Sequence, residues 1–301
     1  MLKMVKTMRK YLSYFFLLCL LLVIYFSRAF SFISQEVLHN FLFTVLPSLA
    51  PSMLFDYLFL HSGGLYYLYQ FFKKKKGKNA HAIYRNLIIL LGLFSGTPTL
   101  ASYVEESIQK GFFSKQEGEM ILSCYLLPSF PFIFGILLPH FSLRMKIILL
   151  VLFYVPNTLF YFLQAKKFKE EKEEVFSLPS EENYVSKAIF STANTCLLLL
   201  GSMLLFSFPF LLLKKIPSPL LSYGLYGFFE FTNSTLYFVN HLSQLSFAIL
   251  LIILSFSSLS VYTQVYLLAP SLRIRKILKK RLLFTGVNVF LILIFFLLQV
   301  F

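Results

Sequence analysis

Apolar runs long enough to cross a bilayer recur along this chain and leave it few alternatives. A helix needs about 20 mainly apolar residues to span the hydrocarbon core. Residues 37–60, 120–138, 145–164, 188–213, 245–268 and 282–301 all meet or approach that length. No soluble core could bury so many apolar helices, since 57% of the 301 residues are hydrophobic and only 14% are charged. The chain reads as an all-α polytopic membrane protein with about eight to nine hydrophobic segments.

The formal charge of +15 invites a nucleic-acid reading, but the cations are placed against it. They cluster beside the apolar runs: Lys3, Lys6, Arg9 and Lys10; residues 73–78 with Arg85; and Arg273 through to Arg281. This is the pattern of positive loops on the cytoplasmic side and of contact with anionic headgroups. The lipid bilayer and a small-molecule substrate are therefore the expected partners, nucleic acid is not, and a homo-oligomer is left open.

The first apolar stretch, residues 11–27, follows a basic tail and lacks a small-residue cleavage site, so it reads as an uncleaved signal anchor with the N-terminus in the cytoplasm. Cys19, Cys124 and Cys196 all lie within apolar runs and read as small buried hydrophobes. Neither metal-ligand spacing nor a nucleophile–base pair stands out, so no cofactor, no metal and no catalysis are expected.

Breaks inside the apolar runs carry the functional information. Pro47 and Pro51 should kink or unwind the middle of their span. Ser95-Gly96-Thr97-Pro98 is a turn signal at mid-segment, which in hydrocarbon implies a re-entrant hairpin or a broken span. Pro128 and Pro131 interrupt the following run, and Ser255, Ser257, Ser258 and Ser260 interrupt a later one.

The mixed-charge stretch at residues 166–187 divides the chain, with a signal anchor at 1–36 and membrane halves at 37–165 and 188–301. Each half holds a kinked span with one acid, a Ser-rich interruption, a charged linker and a closing span. Two structurally similar halves with two broken or re-entrant segments are the hallmark of secondary transporters, and here the Ser95–Gly96 turn is matched to Ser257–Ser258.

Of 13 acidic residues, only Asp56 and Glu230 lie deep inside apolar runs. A carboxylate in hydrocarbon is costly, so one that persists faces a cavity or a partner. Spacing of i, i+3 and i+4 puts Glu230, Asn233 and Ser234 on one helix face, where Glu230 would bind a coupling proton or cation, or accept a hydrogen bond from substrate. The bland alternative is a Glu hydrogen-bonded to a neighbouring helix.

The turn at Ser95, Gly96, Thr97 and Pro98 would offer backbone N–H groups to an anion, or would be a simple proline kink. Ser257, Ser258 and Gln264 would line the matching turn, or would be small polar residues that let helices approach. Asp56 is a cavity acid or one snorkelling at a span end.

The sequence GLFSGTPTLASYVEESIQKGFFSKQEGEMILSCYLLPSFPFIFG (residues 92–135) resembles the hallmark region of the YlbJ-type sporulation integral membrane proteins, which carry the nucleoside-recognition "Gate" domain of nucleoside transporters. LPSLAP (46–51), GFFEFTN (227–233) and FSSLSVYTQV (256–265) fit the same pattern in order and spacing.

The resemblance implies a permease-like protein in the cell membrane or a forespore-associated membrane of spore-forming bacteria. Its implied cargo is dipicolinate or a nucleoside-like heterocycle. This chain departs from the family at Thr97, Ser102, Tyr125, Leu126 and Ser258, where the family has an aromatic residue, a Lys, an Asn pair and a Gly. Those losses keep a second reading in view, that of a non-transporting membrane scaffold or degenerate paralogue.

Overall fold

The computed structural model describes residues 2–76, 80–166, 168 and 183–297, and over these the chain is helical with no strand. Helices are what the apolar runs must form, because hydrocarbon offers no partner to an unpaired backbone group. Most of the mixed-charge stretch at 166–187, and residues 77–79 within the lysine cluster, lie outside the described residues. Six helical stretches are long and apolar enough to cross a membrane: Ser27–His61, Lys115–His140, Leu143–Ala165, Tyr184–Ser207, Gln244–Leu268 and Ile274–Leu297.

The chain opens with α1 (Leu2–Tyr25), α2 (Ser27–Asn40), α3 (Leu46–His61) and α4 (Gly64–Lys76). A π turn, Phe41–Val45, joins α2 to α3, so this span starts at Ser27 and not at residue 37. The expected kink thus takes the form of a π turn. Pro47 falls in the first turn of α3, and the wider turn before it absorbs the register that its missing N–H upsets.

Next come α5 (Ala80–Ser95) and α6 (Thr97–Gln109), which fold back on one another about Gly96. Gly92 permits the fold: a Cβ there would lie 2.6 Å from Leu100. Gly96 itself has φ 98° and ψ 176°, a conformation essentially reserved for glycine. Of the two alternatives offered by Ser95-Gly96-Thr97-Pro98, the hairpin is the one adopted.

Then α7 (Lys115–Tyr125) and the short α8 (Phe130–Phe132) run on in one direction, separated by non-helical backbone at 126–129. The chain continues through α9 (Leu143–Ala165), α10 (Tyr184–Ser207) and α11 (Phe210–Leu213) to α12 (Pro219–Phe229) and α13 (Phe231–Asn240). These last two form a second hairpin, with Glu230 at its tip. The Tyr223 and Tyr237 rings stack across it at 3.9 Å, and Ser234 Oγ donates to the Tyr223 carbonyl at 2.7 Å.

Finally, α14 (Gln244–Phe256) and α15 (Leu259–Leu268) are interrupted at Ser257–Ser258 without folding back, and α16 (Ile274–Leu297) closes the chain. Ser95–Gly96 is thus a hairpin tip and Ser257–Ser258 a straight interruption, so the two breaks differ in shape.

The two hairpins enter from opposite ends. The open end of α5/α6 lies where Arg85 pairs with Glu117 at 2.8 Å and donates to Tyr161 at 2.8 Å, and where Lys280 reaches Gln164. Helix α9 starts at the other end, and there Phe141 packs on Phe247 near the start of α14, directly after the open end of α12/α13.

Acids that look like loop residues in the sequence are buried at the first end. Glu117 also meets His81 at 2.8 Å, Glu105 accepts from the Ser271 hydroxyl at 2.6 Å, and Glu119 lies 3.4 Å from Lys276. Pairing is what makes their burial affordable.

Candidate functional site

All four interruptions meet at one cavity of about 50 Å³ in the middle of the helices. The first hairpin contributes Ser95, Gly96, Thr97 and Pro98; the first broken span contributes residues 126–129 and Phe132. The second hairpin contributes Phe231 beside its tip, and the second broken span contributes Leu254, Ser257, Val261 and Gln264. Leu49 and Met53 of α3 and Leu199 of α10 complete the wall.

The non-helical backbone at 126–129 ties these parts together. Thr97 Oγ1 donates to the Leu127 carbonyl at 3.1 Å, and Ser257 Oγ donates to the Leu126 carbonyl at 2.6 Å. A hairpin tip and a broken span thus hold the carbonyls that the interruption of α7 leaves without helical partners. Ser129 accepts from the Phe132 N–H at 3.3 Å and so starts α8. Any movement of one interruption must break or carry along a bond to its neighbour.

The sequence candidates divide cleanly. Ser95, Gly96, Thr97, Pro98, Ser257 and Gln264 line the cavity; Ser258, Asp56, Glu230 and Asn233 do not. Gln264 donates to Ser202 on α10 at 2.6 Å, and Ser258 shares a 2.8 Å hydrogen bond with Ser260.

Glu230 has no exposed surface, but it is not a mid-helix acid facing the cavity with Asn233 and Ser234. Its backbone is extended, φ −140° and ψ 113°, and it forms the N-cap of α13. One carboxylate oxygen accepts from Thr232 N–H at 2.9 Å and the other from Asn233 N–H at 2.8 Å. The helix dipole and two orphan N–H groups satisfy the acid, so a hairpin tip can carry it through hydrocarbon. Asn233 instead reaches α2, accepting from Asn40 at 2.8 Å.

Asp56 is 6% exposed, and its Oδ2 accepts from Tyr103 at 2.7 Å. Its Oδ1 has no partner among the described residues, and neither does Thr99 Oγ1 on the facing helix. Next to them, Tyr57 and Thr195 share a 3.1 Å bond between α3 and α10. The acid is thus interior rather than snorkelling, and it lies beside Ser95 of the cavity wall.

One buried group escapes the sequence reading. Arg281 is the last residue of a basic run that reads as topogenic, yet it has no exposed surface. The signal was available, because residues 277, 281, 284, 285, 288 and 292 form one buried stripe of α16. Arg281 stands on the core face, whereas Arg273, Arg275 and Lys279 point outward.

Comparison of the chain with models of protein families, with curated proteins and with solved structures gives no match.

Proposed function

We propose that this chain is a membrane carrier that moves a small polar or anionic metabolite through the cavity where its broken helices meet. The observation that carries this reading is that the tip of the first hairpin, Phe231 beside the tip of the second, and both broken spans line one interior cavity. Irregular backbone at membrane depth is tolerated only where protein or a cavity covers it, and carriers use such backbone as binding surface.

A hairpin followed by a broken span occurs once in each half, and the two hairpins enter from opposite ends. That order supports an inverted repeat with eight or nine apolar segments, counting the hairpins and Phe16–Tyr25. The resemblance to YlbJ-type proteins supports dipicolinate or a nucleoside-like heterocycle as cargo and a bacterial cell membrane or forespore-associated membrane as location. The basic clusters support a cytoplasmic N-terminus and contact with anionic lipid.

Ligand pockets for such molecules occupy about 300 Å³ or more, so the cavity as it stands is a closed state that must open to load. The same small cavity favours the second reading, a non-transporting scaffold, because both Thr97 and Ser257 already spend their hydroxyl donors on carbonyls.

Uptake of radiolabelled pyridine-2,6-dicarboxylate and of uridine into proteoliposomes separates the two. The carrier reading expects saturable uptake of at least one compound, abolished by Gly96→Val. Folded protein that transports neither would support the scaffold.

A further inference from the structure

Arg281 presents a problem that Asp56 and Glu230 do not. A buried carboxylate can take up a proton, but a guanidinium stays charged, and a buried unpaired charge is among the most costly features a fold can contain. Arg281 Nη1 donates to Asn157 Oδ1 at 3.0 Å, while Nε and Nη2 have no partner among the described residues. Among the described residues no carboxylate pairs with it: Glu117 is taken by Arg85 and His81, and Glu119 by Lys276. Its surroundings are the Cys124 thiol, the Tyr262 ring, and Thr285 one turn along.

The two free nitrogens are not an arbitrary pair. Nε–H and the outer N–H of Nη2 point the same way and form the side-on fork of a guanidinium, whose spacing matches the two oxygens of a carboxylate. Asn157 occupies the remaining nitrogen and holds the plane of the fork in place. Around it, α16 is pinned to the end of α14, since Thr285 donates to the Ser255 carbonyl at 3.1 Å and Asn288 donates to Ser255 Oγ at 3.0 Å.

Cys124 lies two residues before the interruption at 126–129, and Ser255 lies two residues before Ser257. The free fork therefore lies behind both broken spans, on the side away from the cavity, which Arg281 does not line.

We propose that Arg281 is a binding residue for the carboxylate of a small monoanionic ligand, received side-on by Nε and Nη2. Lys280, the next cation along, reaches Gln164 at 3.5 Å, so Arg281 alone presents the fork, and one guanidinium suits one negative charge better than a dianionic phosphate. The C-terminal ends of α7 and α14 nearby carry partial negative charge and oppose a more highly charged anion. Those same helix ends supply the rival explanation, that Arg281 is a structural cation held by two helix dipoles with no ligand at all.

The test needs no transport, so its outcome is separable from the carrier reading. Thermal unfolding of the full-length protein in detergent is followed while sodium acetate or formate replaces sodium chloride at constant ionic strength. Chloride is the reference because a single spherical acceptor cannot give each N–H its own in-line bond, as the two oxygens of a carboxylate do.

A saturable upward shift of several degrees in carboxylate over chloride is expected. Arg281→Gln should lose that shift and be at least as stable as the parent in chloride, since it removes an uncompensated charge. Arg281→Lys keeps the charge without the planar fork, so its half-saturating acetate concentration should rise about tenfold or more. Identical curves for the parent protein in acetate and chloride would overturn the proposal, whatever the variants do. So would an acetate shift that survives in Arg281→Gln. A parent without anion preference and an Arg281→Gln protein that is less stable in chloride would assign the residue to the helix ends.

Discussion

At Glu230 two backbone N–H groups reach the two carboxylate oxygens at 2.9 and 2.8 Å, and this capping decides what the residue is for. Charge-assisted caps at a helix start contribute about 1–2 kcal/mol. Glu230→Gln keeps one acceptor and turns an amide N–H against the second backbone donor. It should therefore lower stability by about that amount, read from circular dichroism melts since the chain has no tryptophan. Uptake by the surviving folded protein should keep its pH profile; loss of that profile at unchanged stability would return Glu230 to a proton-coupling role. Counting acids in apolar runs was enough to single out Asp56 and Glu230, because the cost of burying charge is visible in composition alone. It was blind to Arg281, whose burial depends on which face of α16 it occupies, and the basic residues before it gave that turn the look of a solvated end.

Among the elements, the α5/α6 hairpin was legible because its tip carries turn chemistry, Gly96 followed by Pro98. The α12/α13 hairpin was not, because its tip reads Phe229-Glu230-Phe231 and contains neither Gly nor Pro. A carboxylate does there what glycine does in the first hairpin, ending one helix and starting the next. Without that tip, Ser257–Ser258 is the break in the sequence most similar to Ser95–Gly96, although one is a straight interruption and the other a hairpin tip. Close packing of the first hairpin is testable by a double-mutant cycle. Gly92→Ala should cost about 1–3 kcal/mol by pushing against Leu100, and Gly92→Ala with Leu100→Gly, which removes the Leu100 Cβ 2.6 Å away, should recover part of that loss. Additive losses in the double variant would mean that the helices do not touch there. The second interruption predicts the opposite sign. Ser257 and Ser258 have φ of 72° and 49°, which a side chain resists, so Ser258→Gly should raise stability by about 1 kcal/mol. A fall in the melting midpoint would mean that the Ser258–Ser260 hydroxyl bond outweighs the relief.

For the molecule as a whole, depth follows from helix rise. Gly96 lies 11 residues beyond Arg85, which at 1.5 Å per residue is about 16 Å, half the thickness of a hydrocarbon core. Under the proposed topology, with the Arg85–Glu117 end in the cytoplasm, Lys73 and Lys166 would fall on the inner side, Lys215 outside beside Arg28, and the tip of the first hairpin near the midplane. Single cysteines in a background lacking Cys19, Cys124 and Cys196 test this arrangement with a membrane-impermeant thiol reagent. Lys73→Cys and Lys166→Cys should react only from the cytoplasmic face, and Lys215→Cys only from the outer face. Thr97→Cys and Ser257→Cys should resist the reagent from both faces at rest, because both side chains are buried among the helices. Under the carrier reading they should become reactive when cargo is supplied and the interruptions part. Free labelling of Thr97→Cys at rest would put the first hairpin at the surface. Labelling of Lys73→Cys and Lys215→Cys from the same face would mean that both hairpins enter from one side, and the inverted pairing that makes alternating access simple would be lost.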